Sequence, residues 1–167
     1  EAIQMVVGWA NSHLHSFTID GIEYQDGKSE GFDEVEDVVD SRKTKLKILK
    51  PKQKFAYTYD FGDSWEHVLV VEKILPKDAK TAYPICIDGE RNCPPEDCGG
   101  VPGYFDLLEI RKNKNHPEYK QLIKEWLGEE YDPEHFNAAE INFELQKRIA
   151  KAGNKPYDRT GYWVKKI

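Results

Sequence analysis

A strict alternation of aromatic with small or polar residues between positions 55 and 61 constrains the fold of this chain more than any other feature. The aromatic side chains are Phe55, Tyr57, Tyr59 and Phe61. Because successive side chains of a strand point to opposite faces, the pattern predicts a strand with one aromatic face. Gly62 and Asp63 interrupt the pattern, and residues 65–75 form a second strand-like run that ends before Pro76. The two runs predict an antiparallel hairpin, named here the aromatic hairpin.

A second hairpin is predicted upstream of the aromatic hairpin. Residues 13–19 alternate between two faces, and Asp20-Gly21 suits a tight turn into residues 22–24. Ahead of this hairpin, residues 3–10 have the apolar spacing of a helix.

The last third of the chain is predicted to be helical. One apolar stripe runs through residues 104–111, and another helix begins at Pro117 and ends at Gly128, which suits a C-terminal cap. Two further helices are predicted, each with its own capping residue at the start. One begins at Asp132-Pro133, and the other begins at Asn137 with Glu140 three residues later. The expected fold class is therefore α+β. It comprises a mixed, mostly antiparallel sheet centred on the aromatic hairpin, with the C-terminal helical segment packed on one face.

The length of 167 residues suits a single domain. We place this domain at residues 1–150 and a basic C-terminal tail at residues 151–167. The helical pattern is already under way at Glu1 with no capping residue before it, so we expect further residues upstream.

Charge is distributed unevenly along the chain, although the net charge is only −6. Residues 20–40 contain nine acids and one lysine, whereas residues 42–54 contain seven bases and no acid. Residues 147–167 contain seven bases and one acid. The sequence pI of about 5.4 is far below the roughly 9 typical of a nucleic-acid-binding domain. We therefore interpret the basic runs as solvated surface and regard nucleic acid as a less favoured partner.

Two absences bear on the compartment. No apolar run approaches the roughly 18 residues of a membrane helix, so no membrane partner is expected. The three cysteines, an odd number, do not suggest a secreted disulfide scaffold. These features predict a cytoplasmic protein.

Residues 83–103 form a segment rich in cysteine, proline and glycine, named here the Cys-Pro-Gly loop. Loops of this length are uncommon in a compact domain and are usually functional. Because its prolines lack amide donors, the remaining backbone groups need partners elsewhere. We predict that residues 86–100 fold back over the turn of the aromatic hairpin. There Gly99 or Gly100 would donate to the hairpin aspartates, and Trp65 would give the loop an apolar seat.

The cysteines of this loop suggest one kind of metal site. They are Cys86, Cys93 and Cys98. Zinc prefers thiolates and imidazoles, and His67, or His13 with His15, would complete a tetrahedral set. No CxxC pair is present, so the alternative that the cysteines are buried small hydrophobic residues stays open. The two histidines at positions 13 and 15 share a strand face, which suits a metal, but we favour packing against Trp9 or Trp65.

Carboxylates and an imidazole suggest another kind of site. The candidates are Asp60, Asp63 and His67 on the hairpin, and Glu96 and Asp97 in the loop. Such a set can bind a divalent ion or act as general acid and base. The alternative is turn chemistry, in which Asp63 and Asp97 bond local backbone amides. Trp65 joins these five as a candidate ligand contact, although a tryptophan is more often part of a core.

Several motifs in a fixed order resemble those of the plasmid pRiA4b open-reading-frame-3-like family. They are SHLHSF at 12–17, YTYDFGDSWEH at 57–67, YPIC at 83–86 and GERNCPPEDCGG at 89–100. The resemblance spans nearly the whole chain and implies an α+β fold of bacterial and archaeal cytosolic proteins, with an N-terminal strand that this sequence lacks. Some members are labelled insertion-sequence passengers of the TnpR resolvase type. A serine recombinase needs a nucleophilic serine among arginines, and Ser41 beside Arg42 lies only in a basic, surface-like run.

The sequence favours a binding or regulatory module over the other functions considered. The motifs GxGxxG, Walker A, HExxH and GxSxG are absent, which argues against nucleotide-driven enzymes and common hydrolases. We expect a cleft between the aromatic hairpin and the Cys-Pro-Gly loop that takes a small ligand or a protein partner. One alternative is a metal-dependent, hydrolytic enzyme with a divalent ion such as zinc. Another is a DNA-associated accessory protein of mobile elements.

Overall fold

The computed structural model of the protein describes residues 2–26, 38–151 and 161–162. The strands of its main sheet are β1 (His15–Ile19), β2 (Ile22–Gln25), β3 (Val38–Asp40), β4 (Lys54–Tyr59) and β5 (Trp65–Val70). They lie in the order β3-β2-β1-β4-β5, and of these pairs only β2 with β3 is parallel. Two short strands, β6 (Ile74–Leu75) and β7 (Gly161–Tyr162), pair separately. The predicted α+β class, with a mixed and mostly antiparallel sheet, is confirmed.

Both predicted hairpins form. Ile19 pairs with Ile22 across a two-residue turn, in which Asp20 and Gly21 have φ angles of 51° and 81°. Two successive positive φ angles match the twist of the flanking strands, and they explain why Asp-Gly occupies this turn. In the aromatic hairpin, Tyr59 pairs with Trp65.

The position of the aromatic hairpin differs from the prediction in two ways. Strand β5 lies at an edge of the described sheet rather than at its centre, because β1 takes the inner place beside β4. The second strand also stops at Val70, and the predicted continuation pairs elsewhere as β6.

The register puts the aromatic residues of three strands on one face, named here the aromatic face. Tyr57 lies opposite His67 on β5 and opposite Phe17 on β1. Tyr57 and Tyr59 are at most 1% exposed, and with Trp9, Trp65 and Leu69 they form the core cluster of the sheet. The alternating aromatic residues of β4 are therefore buried on one face, because the neighbouring strands place their own rings on the same side of the sheet.

The described residues also form four helices. They are α1 (Ala2–Val7), α2 (Gly100–Lys112), a π-helix (Lys120–Leu127) and α3 (Ala138–Lys151). Residues 46–48 form one 3-10 turn. The predicted capping pair is confirmed, since the Asn137 side chain accepts the amide of Ala139 at 2.9 Å and donates to Glu140. Asp132-Pro133 forms a turn and not a helix, and the helix expected at Pro117 begins at Lys120.

The aromatic face is covered by more than the C-terminal helices. Helix α1 contributes Ile3 and Val7, the Cys-Pro-Gly loop contributes Cys93 and Cys98, and α2 contributes Tyr104. A second apolar cluster lies between α2 and the π-helix and contains Leu107, Ile110, Tyr119 and Ile123. The Cys-Pro-Gly loop therefore contributes side chains to the hydrophobic core.

Within the described residues, no helix has the length and apolar character needed to span a membrane. Most of the basic tail predicted at residues 151–167 lies outside the described residues.

Candidate functional site

The Cys-Pro-Gly loop folds back onto the turn of the aromatic hairpin, as predicted. The amide of Gly99 donates to the Asp63 carboxylate at 3.1 Å. A Cβ atom on Gly100 would lie 2.4 Å from the Asp63 carbonyl oxygen, so only glycine permits this approach. Asp63, proposed as a ligand contact, is thus an anchor for the loop and for the first residues of α2.

Glu96 is also engaged in holding the loop. Its carboxylate accepts hydrogen bonds from the Ala10 amide at 2.9 Å, from the Ser12 hydroxyl at 3.3 Å and from the Tyr59 hydroxyl. The Trp9 indole N–H donates to the Pro94 carbonyl oxygen at 2.9 Å. Candidate residue Glu96 therefore fastens the loop to the chain that leads into β1.

Sequence reasoning missed the roles of Trp9 and Tyr59. The two rings stack with centroids 4.7 Å apart, and the Tyr59 hydroxyl also accepts the amides of Ser12 and His13 at 3.1 and 3.3 Å. Burial raises the pKa of Tyr59, so its hydroxyl stays protonated and can donate to Glu96. The sequence does contain a signal for this role, because Tyr59 lies on a face predicted to be buried and a buried hydroxyl needs a hydrogen-bond partner.

Three donors from separate parts of the chain converge beside this anchor. One ligand atom each of His13, Asp60 and Asp97 lies within 4.8 Å of the other two. The His13 Nδ1 atom is 3.6 Å from the Asp60 Oδ2 atom, and the Nε2 atom is 3.1 Å from the Asp97 Oδ1 atom. Together they form the donor cluster, to which the sequence had contributed Asp60 and Asp97 but with His67 as the imidazole.

The backbone holds both aspartates of the donor cluster in an unusual conformation. Asp60 and Asp97 have φ angles of 55° and 60°, a region that is uncommon for residues other than glycine. Asp60 Oδ1 accepts the amides of Gly62 at 2.9 Å and Asp63 at 3.4 Å, and its other oxygen faces His13. The hairpin turn therefore fixes the direction of the Asp60 carboxylate.

The structure does not bring His67 and the three cysteines together as a set of metal ligands. Among the residues that the structure describes, the donor cluster alone brings three potential metal ligands within 4.8 Å of one another. His67 packs edge-on against Trp9, with ring centroids 5.5 Å apart, and its Nδ1 atom is 3.2 Å from the Tyr57 carbonyl oxygen. Cys86 is buried, and its backbone forms two hydrogen bonds with the Asn142 side chain.

The remaining candidates of the loop and hairpin belong mainly to the core. Cys93 and Cys98 pack against the cluster that contains Trp65, which is 8% exposed. Burial, and then the negative charge of Asp63, raise the pKa of Cys98 to about 11. Because the thiolate is the nucleophile, this thiol is a weak nucleophile near neutral pH.

His15 separates from His13 and joins the aromatic face. Its ring lies 5.7 Å from that of Phe17 and 5.8 Å from that of Tyr57. Burial lowers the pKa of His15. His15 therefore packs against Phe17 and Tyr57, where tryptophan was predicted, while His13 lies just before β1 in the donor cluster.

A cavity of about 510 Å³ opens beside Asp97. Asp97 and Cys98 form its loop wall, and the opposite wall comes from α2 and the π-helix. The lining residues of α2 follow helical spacing: Gly103, Asp106, Leu107 and Ile110. The lining from the π-helix region includes Glu118, Leu122 and Trp126, each four positions apart. The sequence had predicted a cleft bounded by the aromatic hairpin, whereas the second wall of this cavity is helical.

Comparison with known proteins places the chain. A family model described as plasmid pRiA4b ORF-3-like protein matches residues 1–140. The chain belongs to this family. This confirms the resemblance that its motifs indicated.

Two relatives carry names without an activity. The uncharacterized protein y4hQ of Sinorhizobium fredii (strain NBRC 101917 / NGR234) is 30% identical over 164 residues, which is 96% of this chain and 82% of that protein. The crystal structure of MM3350, a protein of unknown function from Methanosarcina mazei Go1, is similar with a TM-score of 0.71 and 39% identity. That match covers 83% of this chain and 78% of the other.

The motifs that indicated the family meet at one place in the structure. His13 belongs to the motif at 12–17, Asp60 to that at 57–67 and Asp97 to that at 89–100. The first two motifs supply adjacent strands, and the loop carrying the third is hydrogen-bonded to both, through Ser12 with Glu96 and Asp63 with Gly99. The donor cluster and the cavity beside it therefore form the candidate functional site.

Proposed function

We propose that the protein is a binding module that holds a small, positively charged molecule with an apolar part. The observation that carries the proposal is the cavity of about 510 Å³. Its volume lies within the roughly 300–1,000 Å³ typical of small-molecule sites. Its wall joins carboxylates to apolar side chains, which is the composition that a cation with a hydrocarbon body would fit.

The charge of the lining favours a cation. Asp97, Asp106 and Glu118 all contribute to the wall. A carboxylate that accepts a hydrogen bond from an ammonium group makes a stronger contact than a neutral pair does. Trp126 is 46% exposed at the same wall, and an indole ring attracts a cation over its face. Leu107 and Leu122 supply the apolar contact.

An arylalkyl amine such as phenethylamine, with its neutral alcohol analogue as comparison, tests this function. Calorimetry on the full chain should detect binding of the amine and no binding of the alcohol. Asp106→Asn and Glu118→Gln should each weaken amine binding by about tenfold, the equivalent of roughly 1.4 kcal/mol.

Glu109→Gln is the matched control for this test. Glu109 lies on the same helix as Asp106 but pairs with Lys112 at 2.7 Å and does not line the cavity. Equal binding of amine and alcohol, or equal weakening by all three variants, would contradict the proposal.

A metal-dependent hydrolytic enzyme is the second candidate, and the donor cluster is the observation that favours it. An ion there would lie at the rim of the cavity, since Asp97 belongs to both. Hydrolysis of p-nitrophenyl phosphate or acetate that depends on added Mn²⁺ and disappears in His13→Gln would support this function. No ion-dependent turnover of either ester would count against it.

A DNA-associated role has less support. Arg42 lies 2.9 Å from Asp26 and 3.2 Å from Asp40, and Lys43 lies 3.5 Å from Asp40, so acids offset part of the basic run. A gel-shift assay with duplex DNA at low salt tests it, because phosphate contacts weaken steeply with salt. We likewise propose a cytoplasmic location, which is supported by the odd number of cysteines, three in the chain.

A further inference from the structure

We infer that His13, Asp60 and Asp97 form a binding site for one divalent first-row metal ion, held by an imidazole and two carboxylates. The site goes beyond the proposed cavity function, because two of its three ligands do not line the cavity. It also differs from the thiolate site suggested by the sequence, both in its residues and in the class of metal that it would prefer. One imidazole with two carboxylates suits ions such as Mn²⁺ or Zn²⁺.

The first argument is the spacing of the donors. The His13 Nε2 atom and the Asp97 Oδ1 atom are 3.1 Å apart. Two ligand atoms that each lie about 2.0–2.2 Å from one ion, at an angle near a right angle, are separated by about 3 Å. The Asp60 carboxylate completes a group within 4.8 Å, so a small inward movement of side chains would close a three-ligand face.

The second argument is the state of the His13 Nε2 atom. It is buried and makes no hydrogen bond within the described structure. The Asp97 Oδ1 atom lies 3.1 Å away but does not accept a hydrogen bond from it. A buried polar atom without a directed partner is costly. A metal ion would satisfy it.

The third argument is electrostatic. Two carboxylates brought to one place repel each other unless a positive charge lies between them. The Asp97 side chain is 68% exposed, and ion pairs of exposed groups contribute only about 0–1 kcal/mol, so pairing with His13 offsets little of this repulsion. A bound divalent ion would supply the positive charge.

The cluster is also held in place before any ion binds. Two backbone amides fix one oxygen of Asp60, which leaves the other directed at His13. The His13 ring packs edge-on against Tyr59, with centroids 5.8 Å apart. Ligands positioned by hydrogen bonds and packing are a requirement of a precise metal site.

Titration of Mn²⁺ into the chelator-treated, untagged full chain tests the inference, with calorimetry and electron paramagnetic resonance as readouts. Mn²⁺ is chosen because it prefers oxygen and nitrogen ligands and discriminates against the cysteines. We expect about one ion per chain, and a loss of affinity of at least about tenfold in His13→Gln and in Asp97→Asn. Asp60→Asn should weaken binding too, while its amide oxygen still accepts the turn hydrogen bonds.

His135→Gln is the matched control, because His135 also pairs with a carboxylate, that of Glu140 at 2.9 Å, on an exposed surface. Its binding of Mn²⁺ should equal that of the parent chain. Absence of stoichiometric binding, or equal affinity in parent, His13→Gln and Asp97→Asn, would overturn the inference.

The two sites fail separately. His13→Gln should weaken Mn²⁺ binding and leave phenethylamine binding intact, since His13 does not line the cavity. Glu118→Gln should do the reverse, since Glu118 is outside the donor cluster. Only Asp97→Asn should weaken both.

Discussion

The aromatic face and the Cys-Pro-Gly loop are two halves of one core that are stabilised in different ways. On the aromatic face, the ladder of β1, β4 and β5 satisfies the backbone, and the side chains are free to pack. In the loop, backbone groups bond to distant side chains: Pro94 to Trp9, Gly99 to Asp63 and Cys93 to Tyr131.

This difference determines which substitutions each half tolerates. A strand keeps its hydrogen bonds when a side chain changes, because the ladder is made by the backbone. A loop held by side chains loses backbone partners with every such change. The donor cluster lies where the halves meet, so its geometry depends on both.

Gly103→Ala should cause the largest loss of stability, because it disturbs the packing of the Cys-Pro-Gly loop. A Cβ atom there would lie 1.9 Å from the Cys98 carbonyl oxygen and 2.9 Å from its carbon, and both are backbone atoms. We expect a loss in unfolding free energy of about 3 kcal/mol, at the upper end of overpacking effects. Urea denaturation measures it.

Gly99→Ala is the control for the Gly103 substitution. Gly99 has a φ of 85°, but the nearest backbone atom to a new Cβ is 3.6 Å away. Only conformational strain is added there, so the loss should be about 1–2 kcal/mol. Equal losses at the two positions would show that close packing of the loop against α2 is unimportant.

Tyr59→Phe should cause the next largest loss, because one hydroxyl serves both halves. It leaves the Ser12 and His13 amides without this acceptor and Glu96 without this donor. Loss of buried hydrogen bonds predicts a decrease in unfolding free energy of about 1–3 kcal/mol. A double-mutant cycle with Glu96→Gln should show coupling of at least about 0.5 kcal/mol. Strict additivity of the two substitutions would mean that the halves are independent at this point.

The smallest expected effect is a pH dependence that belongs to the aromatic face. Burial lowers the pKa of His15 below its ordinary value of 6.5. The unfolded chain therefore binds a proton at a higher pH than the folded chain does. This contribution to stability is complete above pH 6.5 and is lost as the pH falls from 6.5 towards the lowered pKa.

His15→Gln isolates this effect, since the other histidines remain. Between about pH 7.5 and pH 5.5, the decline in urea midpoint should be shallower in the variant than in the parent. Parallel declines would show that His15 does not titrate differently in the folded state.

The same contrast explains how much the sequence could predict. Period-two aromatics predicted β4, and Asp20-Gly21 predicted the first hairpin, because both depend on local geometry. The return of the loop to Asp63 could also be inferred, since proline-rich backbone needs outside partners. The edge position of β5 could not be inferred, because the order of strands in a sheet depends on pairing between segments that are far apart in sequence.

The candidate site was harder to predict for the same reason. His13 and Asp97 are 84 residues apart in sequence, and neither belongs to a local motif with ligand spacing. The cysteines drew attention because they are close together in sequence, yet Cys86 turns towards Asn142 on α3 while Cys98 lies against the aromatic face. Proximity along a loop says little about convergence of its side chains.

The apolar residues of helix α1 do not by themselves determine how the helix is rotated about its axis. Ile3, Met5, Val6 and Val7 are all half-buried, so rotation of this short helix about its axis would exchange one apolar contact for another. Gln4, 1% exposed, donates its side-chain amide to the Tyr57 hydroxyl. A rotated helix would leave both groups buried without a partner. We therefore expect Gln4→Leu to retain a folded chain whose first helix samples several orientations, at the expense of the alignment that carries Trp9 to the loop.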